Sequence, residues 1–543
     1  MLPRSPSAGV LSPYRYISVF QISQRGKTMR FLTKCLLFSL FLIAPMLLPA
    51  QDSGASTAGQ SSGSATKEEV EALRKEVASQ RQTIEELKAM VQQLVQTRAQ
   101  SASADGAHVV NATLVETAGQ AAKSDQKPAD KPSTPAPAAG WNGEHFFIKS
   151  GDFQLQPYGY FQTDYRAYNG DGVPADSFVI RRARFGFQGN YGKYYDFGLL
   201  IDAAASNGIT LRDLYVNIKP FPEFQVTVGQ FKEPFAQELL EGVTNIDFIE
   251  RSMASLLYPS AATAFRSPGA AVHGDIAGGI MQYWVGAFNG KGILTNNTTN
   301  EPEVIGRVRF YPWKKTKNGV FQGLAFGGSI GHGRTRGLSS EQSFSTALPD
   351  AAFTLLPTFT INGPVERYNG EGTWTHGPFA IRAEYDQLRQ FRRGVGTEDF
   401  GGIGFANLPA IVGKAGYAQA TYVLTGESKP ENGTPKVKHP VLGPETAGAS
   451  RGWGAWEVAF RYDKLQVKEP GAALIGVFTP FTPAAVPTFE GHADGWTTGV
   501  NWYLNYWIKY QANFEVDRLR QPSTTGALPQ NYFVVLQRLQ FRF

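Results

Sequence analysis

The last twelve residues, 532–543, alternate between two chemistries, and that alternation restricts the fold more than any other stretch of the chain. Phe533, Val535, Leu539, Phe541 and Phe543 share one parity, broken only by Gln537. Tyr532, Arg538, Gln540 and Arg542 hold the other parity, together with Val534 and Leu536. Side chains of a strand point to alternate faces, so one face is apolar and the opposite one largely polar. A soluble sheet buries its apolar face against protein. A membrane barrel turns that face to lipid and its polar face to a wet lumen.

The same alternation recurs upstream. Ala183, Phe185 and Phe187 oppose Arg182, Arg184 and Gln188; Tyr195, Phe197, Leu199, Ile201 and Ala203 oppose Asp196 and Asp202. Val304, Val308 and Phe310 oppose Arg307, Arg309 and Tyr311, while Phe379, Ile381, Ala383 and Tyr385 oppose Arg382, Glu384 and Asp386. Charges kept so regularly to one face do not meet lipid, where each costs about 2–4 kcal/mol at the bilayer midplane. A soluble sandwich also alternates, but it needs neither a secretory signal nor a terminal aromatic strand.

The other end of the chain carries such a signal. Arg30 and Lys34 precede an apolar run over 36–48, followed by Pro49 and Ala50. Thirteen residues is short for a bilayer span and suits the apolar core of a signal peptide, with cleavage expected after Ala50. An uncleaved anchor helix is the alternative, and Met29 is an alternative start. The single cysteine, Cys35, lies within this segment, so the mature chain is expected to have no disulfide and no thiolate metal site. Residues 1–50 carry six Lys/Arg and no Asp/Glu, which accounts for the whole formal charge of +6 and leaves the mature chain neutral. Net charge therefore gives no argument for nucleic-acid binding.

Four parts follow the signal. Residues 51–66 are Ser/Gly/Ala-rich and read as flexible. Over 67–98 heptads appear, with Val70, Val77, Ile84 and Val91 at a and Leu73, Leu87 and Leu94 at d, Gln80 being the polar exception. This pattern predicts a coiled coil, and its four heptads make a rod of about 42 Å. β-branched residues at a with Leu at d favour a dimer. Residues 99–140 are an Ala/Pro-rich linker, and 141–543 form the barrel.

Alternating runs and turn signals place about sixteen antiparallel strands in 141–543, beginning near 154, 178, 194, 211, 224, 269, 280, 304, 321, 370, 379, 415, 453, 495, 507 and 532. Barrels of 16–18 strands enclose a water-filled channel. Short links such as 219–222 and 377–378 are expected on the periplasmic side. Long ones near 233–268, 289–303, 332–368, 389–413 and 468–494 are expected outside. The link 425–452 falls on the periplasmic side by parity although it is long and rich in Pro and Gly: either it is an extended turn or the count is off by one hairpin.

A barrel strand ending on Phe resembles the closing strand of bacterial outer-membrane proteins. Further motifs carry a more specific likeness: FVIRRARFGFQGN (178–190), LRDLYVNIKPFPEFQVTVGQFKEPF (211–235), FIERS (248–252), YWVGAFNGKG (283–292), GRVRFYP (306–312), YVLTGE (422–427), GAWEVAFRYD (454–463), GVNWYLN (499–505) and the closing LQRLQFRF. In this order they resemble the phosphate-selective porin O and P family across 150–543. The resemblance implies a trimeric sixteen-stranded barrel passing anions, with arginines along the lumen and a lysine cluster at a constriction. It does not extend to the coiled coil, whose dimer preference conflicts with a trimer.

Guanidinium groups suit oxyanions because they offer a flat fork of donors and keep their charge. The candidate pore-lining residues are Arg182, Arg184, Arg307, Arg309 and Arg382 by lumen parity. Lys232, Arg251 and Arg266 join them at the 233–268 link, which is expected to fold inward. No lysine cluster appears there, and the link also holds Glu233, Glu238, Glu241, Asp247 and Glu250. Asp196, Asp202, Asp213, Glu384 and Asp386 are carboxylates that pair with lumen arginines in the alternative reading of an ordinary neutralised wall.

No catalytic, cofactor or metal residue is expected. The seven histidines show no zinc spacing, and His273 near Asp275 reads as a hydrogen-bonded wall residue. Trp284, Trp502 and Trp507 read as girdle or wall. The sequence thus predicts an outer-membrane channel for small anionic solutes, phosphate or polyphosphate among them, with lipid and a homotrimer as partners. The alternative is a general porin whose periplasmic coiled coil tethers the envelope through a cell-wall or periplasmic partner.

Overall fold

The computed structural model describes residues 138–543 except 142–144, 171–172, 205–207, 259–264, 318, 337–340, 349–350, 399–403, 442–451, 471–488 and 521–529. The expected signal peptide, flexible segment, coiled coil and nearly all of the linker lie outside the described residues. The last three linker residues instead begin β1 (Ala138–Trp141), which pairs with β2 (Phe146–Ser150).

Nine barrel strands follow: β3 (Phe153–Asn169), β4 (Ser177–Tyr191), β5 (Tyr195–Asp202), β6 (Thr210–Phe221), β7 (Phe224–Lys232), β8 (Arg266–Ile276), β9 (Met281–Phe288), β10 (Glu303–Phe310) and β11 (Gly323–Thr335). A separate hairpin, β12 (Glu341–Leu348) and β13 (Ala351–Thr360), interrupts the wall. Seven more complete it: β14 (Gly363–His376), β15 (Phe379–Glu398), β16 (Gly404–Val423), β17 (Ala455–Glu469), β18 (Phe489–Tyr503), β19 (Ile508–Arg520) and β20 (Gln530–Arg542). Every neighbouring pair is antiparallel, and β20 pairs with β3, so the described residues close a sixteen-stranded barrel. Closure matters because a sheet edge in lipid would leave backbone donors and acceptors unpaired.

The seam shows how local chemistry closes the ring. Phe543 and Gly159 exchange backbone hydrogen bonds of 3.0 and 3.1 Å, and the Phe161 and Phe541 rings stack at 5.2 Å. A Cβ on Gly159 would lie 2.6 Å from the Phe543 ring and 2.8 Å from the Arg184 carbonyl, so only glycine fits beneath the terminal aromatic.

Alternation holds strictly in β17, where the inward Glu457, Arg461 and Asp463 are buried and the outward Val458 and Phe460 are exposed. Exposed outward aromatics of this kind meet hydrocarbon. Among the described residues no helix is long and apolar enough to cross a membrane.

Two expectations change, and the alternative open at 425–452 resolves. The link over 389–413 is mostly strand, because β15 runs to Glu398 and β16 starts at Gly404. Its outward residues Arg389 and Arg393 are charged, and that polarity reads as loop in the sequence. The 332–368 link is not a plain loop but contains the β12–β13 hairpin. The long link between β16 and β17 does lie with the short turns: the Lys429 amide donates to Gly377 O at 2.7 Å and the Val441 amide to Leu504 O at 2.7 Å. It is an extended turn, and the strand count stands.

Candidate functional site

The stretch 233–258, in the segment between β7 and β8, turns into the barrel. It contains a four-residue helix, α1 (Gln237–Leu240), and a 3-10 turn over Met253–Leu257. Polar groups of the wall hold it along its length. Glu233 meets Arg367 at 3.0 Å, and the Glu238 amide donates to Glu384 at 2.8 Å. The Ile249 amide donates to Asn513 at 2.6 Å, and Arg538 donates back to the Ile249 carbonyl at 2.6 Å. The Met253 amide reaches Asp463 at 3.0 Å, and the Tyr258 hydroxyl reaches Asp386 at 2.6 Å. These partners lie on β14–β20, and the segment is also met by Ser329 of β11, Arg307 and Arg309 of β10, Arg166 of β3 and Arg181 of β4.

A second segment enters from the opposite end. The link after β16 carries Lys429, which forms ion pairs with Asp247 and, at 2.8 Å, with Glu457. Glu431 pairs with Arg309, and Asn432 hydrogen-bonds Gln237. Arg382 pairs with Glu241 of the first segment and donates to the Glu431 carbonyl of the second at 2.8 Å. The two segments therefore interlock inside the barrel. Burial opposes ionisation of Asp247, but Lys429 and Arg382 outweigh it and hold its carboxyl below the usual range. Burial also disfavours the Lys429 ammonium, and the Asp247 and Glu457 charges reverse that, so its pKa is raised.

The strands β4–β8 hold a further set of charges, paired largely among themselves. Arg184 pairs with Asp202 at 2.7 Å and with the Tyr160 hydroxyl at 2.9 Å. Arg212 meets the same Asp202 at 3.3 Å, and Arg266 grips Asp213 through two bonds of 2.7 and 2.8 Å. Arg212 and Asp213 retain 14% and 13% side-chain exposure, whereas Asp463, met by the Met253 amide, retains 2%. Lys232 donates to the Leu240 and Glu241 carbonyls at 2.9 and 2.7 Å. Arg251 donates to the Glu238 and Glu241 carbonyls at 2.6 and 2.8 Å. These two cations cap the end of α1, where carbonyls lack helical partners.

A second cationic group surrounds Glu250. Arg166 lies 2.8 Å and Arg181 3.0 Å from its carboxylate, and Arg538 lies 3.6 Å away. Arg166 and Arg538 also share Asp164. Burial opposes the charge on Glu250, yet Arg181, Arg166, Arg182 and Arg538 together hold its carboxyl well below the usual range. Beside this group Arg182 donates to Gln162 at 2.8 Å.

The eight sequence candidates thus divide. Arg184, Arg266, Arg307, Arg309 and Arg382 each have a carboxylate partner, Glu371 serving both Arg307 and Arg309. Arg182, Lys232 and Arg251 have no carboxylate within ion-pair distance among the described residues. Glu384 and Asp386, expected beside arginines, instead accept hydrogen bonds from Tyr417, Tyr258 and Asn369. Trp284 faces the lumen, where the Arg307 guanidinium lies 5.0 Å from its ring. His273 is hydrogen-bonded to Thr227 and Asn217 at 3.0 and 3.1 Å. No group of side chains among the described residues is arranged to hold a metal.

Sequence reasoning missed Arg181 and Arg212. Each falls at a β-bulge, where the register of β4 against β3 skips Arg181 and that of β6 against β5 skips Arg212. A bulge breaks the two-residue period and re-aims side chains. The available signal was the phase change in FVIRRAR, where exposed Phe178 and Ile180 share the parity of buried Arg182.

Residues 154–543 match the family described as phosphate-selective porin O and P. The chain is 24% identical over 386 residues to Porin O of Pseudomonas aeruginosa, covering 67% of this chain and 82% of that one. Among solved structures it is similar to OmpT, an outer-membrane protein of Vibrio cholerae, with a TM-score of 0.44 and 12% identity, over 73% of this chain and 99% of that one. A similar match is an anion-selective porin from Comamonas acidovorans, with a TM-score of 0.44 and 13% identity, over 72% of this chain and 100% of that one.

Proposed function

The chain belongs to the phosphate-selective porin O and P family, and on that premise we propose that it is an outer-membrane channel for passive diffusion of small anionic solutes, phosphate among them. The observation that carries the reading is the placement of Arg182, Lys232 and Arg251. None of the three has a carboxylate within ion-pair distance among the described residues, and each is met by amide oxygens. An amide oxygen orients a cation without neutralising it, and the carboxylates that offset these charges stand farther off, Glu250 near Arg182 and Glu238, Glu241 and Glu250 near Arg251, so an entering anion meets partly compensated charge. Arg184, Arg212 and Arg266 add fixed donors whose carboxylate partners moderate the attraction. Several moderate sites in series let an ion enter and still leave.

In this reading the 233–258 stretch is the constriction. It covers Glu384 and Asp386 and leaves to the solute the wall that carries Arg184, Arg212 and Arg266. The phosphate selectivity in the family's description agrees in kind. The homotrimer and the periplasmic coiled coil over 67–98 belong to the same proposal. The heptads support a second role in tethering the envelope through a cell-wall or periplasmic partner.

The test is the zero-current potential of the purified protein in a planar bilayer across a KCl gradient, repeated with added phosphate. A potential set by chloride, with current blocked by low phosphate, is the expected result. A potassium-set potential without block would reject the anion reading and leave a general porin.

A further inference from the structure

The outer surface of the barrel changes chemistry at one height on five consecutive strands. Along β17 the outward residues run Val458, Phe460, Tyr462, then Lys464, Gln466 and Lys468. On β19 they run Phe514, Val516, then Arg518 and Arg520. β15 passes from Ile381 and Tyr385 to Arg393, and β16 carries Lys414 at its loop end. The register lays these side by side: Lys464 lies opposite Asp494, which lies opposite Arg518, and Lys414 lies opposite Gln466, which lies opposite His492 and then Arg520. At the usual strand spacing the five strands make a belt about 19 Å wide.

Arg393, Lys414, Lys464, Lys468, Arg518 and Arg520 are all exposed, and none has a carboxylate within ion-pair distance among the described residues. The acids on the same surface are fewer. Glu366 pairs with Arg389 at 3.3 Å, Glu490 lies 3.4 Å from His492, and Asp494 stands between Lys464 and Arg518. Cations remain in excess. The belt lies at the loop ends of the strands, directly above the outward aromatics Tyr385, Phe460 and Trp496. Such aromatics mark the membrane interface. On β10, by contrast, the outward residues Val304 and Val308 remain apolar to the loop end.

The geometry points to a site for the phosphorylated headgroup of an outer-leaflet glycolipid, seated on this belt with its acyl chains against the apolar band below. Phosphate monoesters of such a headgroup present charge at the height where the cations stand, and lysine and arginine are the groups that bind them. Because the belt lies outside the barrel, it is separate from any path for permeating anions.

The full-length protein in detergent, titrated with bisphosphorylated lipid A in mixed micelles and read by native mass spectrometry, tests this. The triple variant Lys464→Gln, Lys468→Gln and Arg518→Gln should bind the lipid about a hundred-fold more weakly, and its zero-current potential should match that of the unaltered protein. The double variant Glu490→Gln and Asp494→Asn should bind more tightly. Inorganic phosphate alone should not displace the lipid, since it lacks the acyl anchor. Three results would overturn the assignment: unchanged affinity in the triple variant, equal binding of lipid A stripped of its phosphates, or an altered oligomeric state with lipid binding unaffected, which would give the belt to a second copy of the chain.

Discussion

Lys429 and Asp247 meet inside the barrel although they enter from opposite ends, one on the link after β16 and one on the segment after β7. Both side chains are almost completely buried, and Glu457 completes the group at 2.8 Å. Replacing Lys429 by Ala leaves two carboxylates facing each other, a loss of about 3 kcal/mol for a broken buried pair. Thermal unfolding in detergent should begin at lower temperature, and single-channel recordings should show larger, noisier currents as the inner segment loosens. Quiet currents of unchanged size would mean that the wall contacts alone hold the segment.

The three cations without carboxylate partners should control selectivity more than the paired ones. Arg251→Gln is expected to lower the anion-to-cation permeability ratio about five-fold, the effect of one charge a few ångströms from the path in a partly aqueous medium. Arg307→Gln should change it much less, because Glu371 already balances Arg307 and Arg309. Reversal potentials of the two variants in the same salt gradient decide the order.

The carboxyls of Asp247 and Glu250 titrate below the usual carboxylate range in the folded protein. A depressed folded value means that their contribution is complete above about pH 4, where an unfolded carboxylate ionises, and is lost as pH falls further toward the folded value. Hydrogen exchange over 244–253 should therefore be flat from about pH 5 to 7 after correction for intrinsic rates, with protection falling only below about pH 4. Loss of protection at pH 6 would assign the anchoring to other groups.

Gly159→Val tests the seam. Its Cβ would strike the Phe543 ring and the Arg184 carbonyl, so closure should fail or cost about 3 kcal/mol. The heat-resistant compact band on electrophoresis should weaken, whereas Gly370→Ala, which meets nothing within 4 Å, should leave it intact.

Removal of 67–137, which leaves β1 whole, separates the roles suggested for the heptads. Unchanged conductance with a loosened envelope is the expected outcome for a tether. Loss of assembled oligomer on native electrophoresis would make the coil an assembly device instead.

Strand number and order were legible because alternation is a local property: β4, β10, β15 and β20 each announce their two faces. The covering of Glu384 and Asp386 was not legible, since it depends on where a segment more than a hundred residues earlier comes to rest. The partners of Arg382 likewise come from Glu241 and Glu431, neither of them on a neighbouring strand. The loop ends of β15 and β16 were mistaken for loop because their outward residues stand above the apolar band, where polarity no longer separates strand from turn.

The bulges at Arg181 and Arg212 have a consequence for ion transfer. In a regular strand, residues on one face repeat about every 6.7 Å, which sets a minimum stride between donors along the wall. A single inserted residue places Arg181 next to Arg182, and Arg212 next to Asp213, without adding a strand or widening the ring. The stride between charged groups is thereby about halved where the bulges fall. One-residue insertions and deletions become a means of retuning conductance while the scaffold in the membrane stays the same.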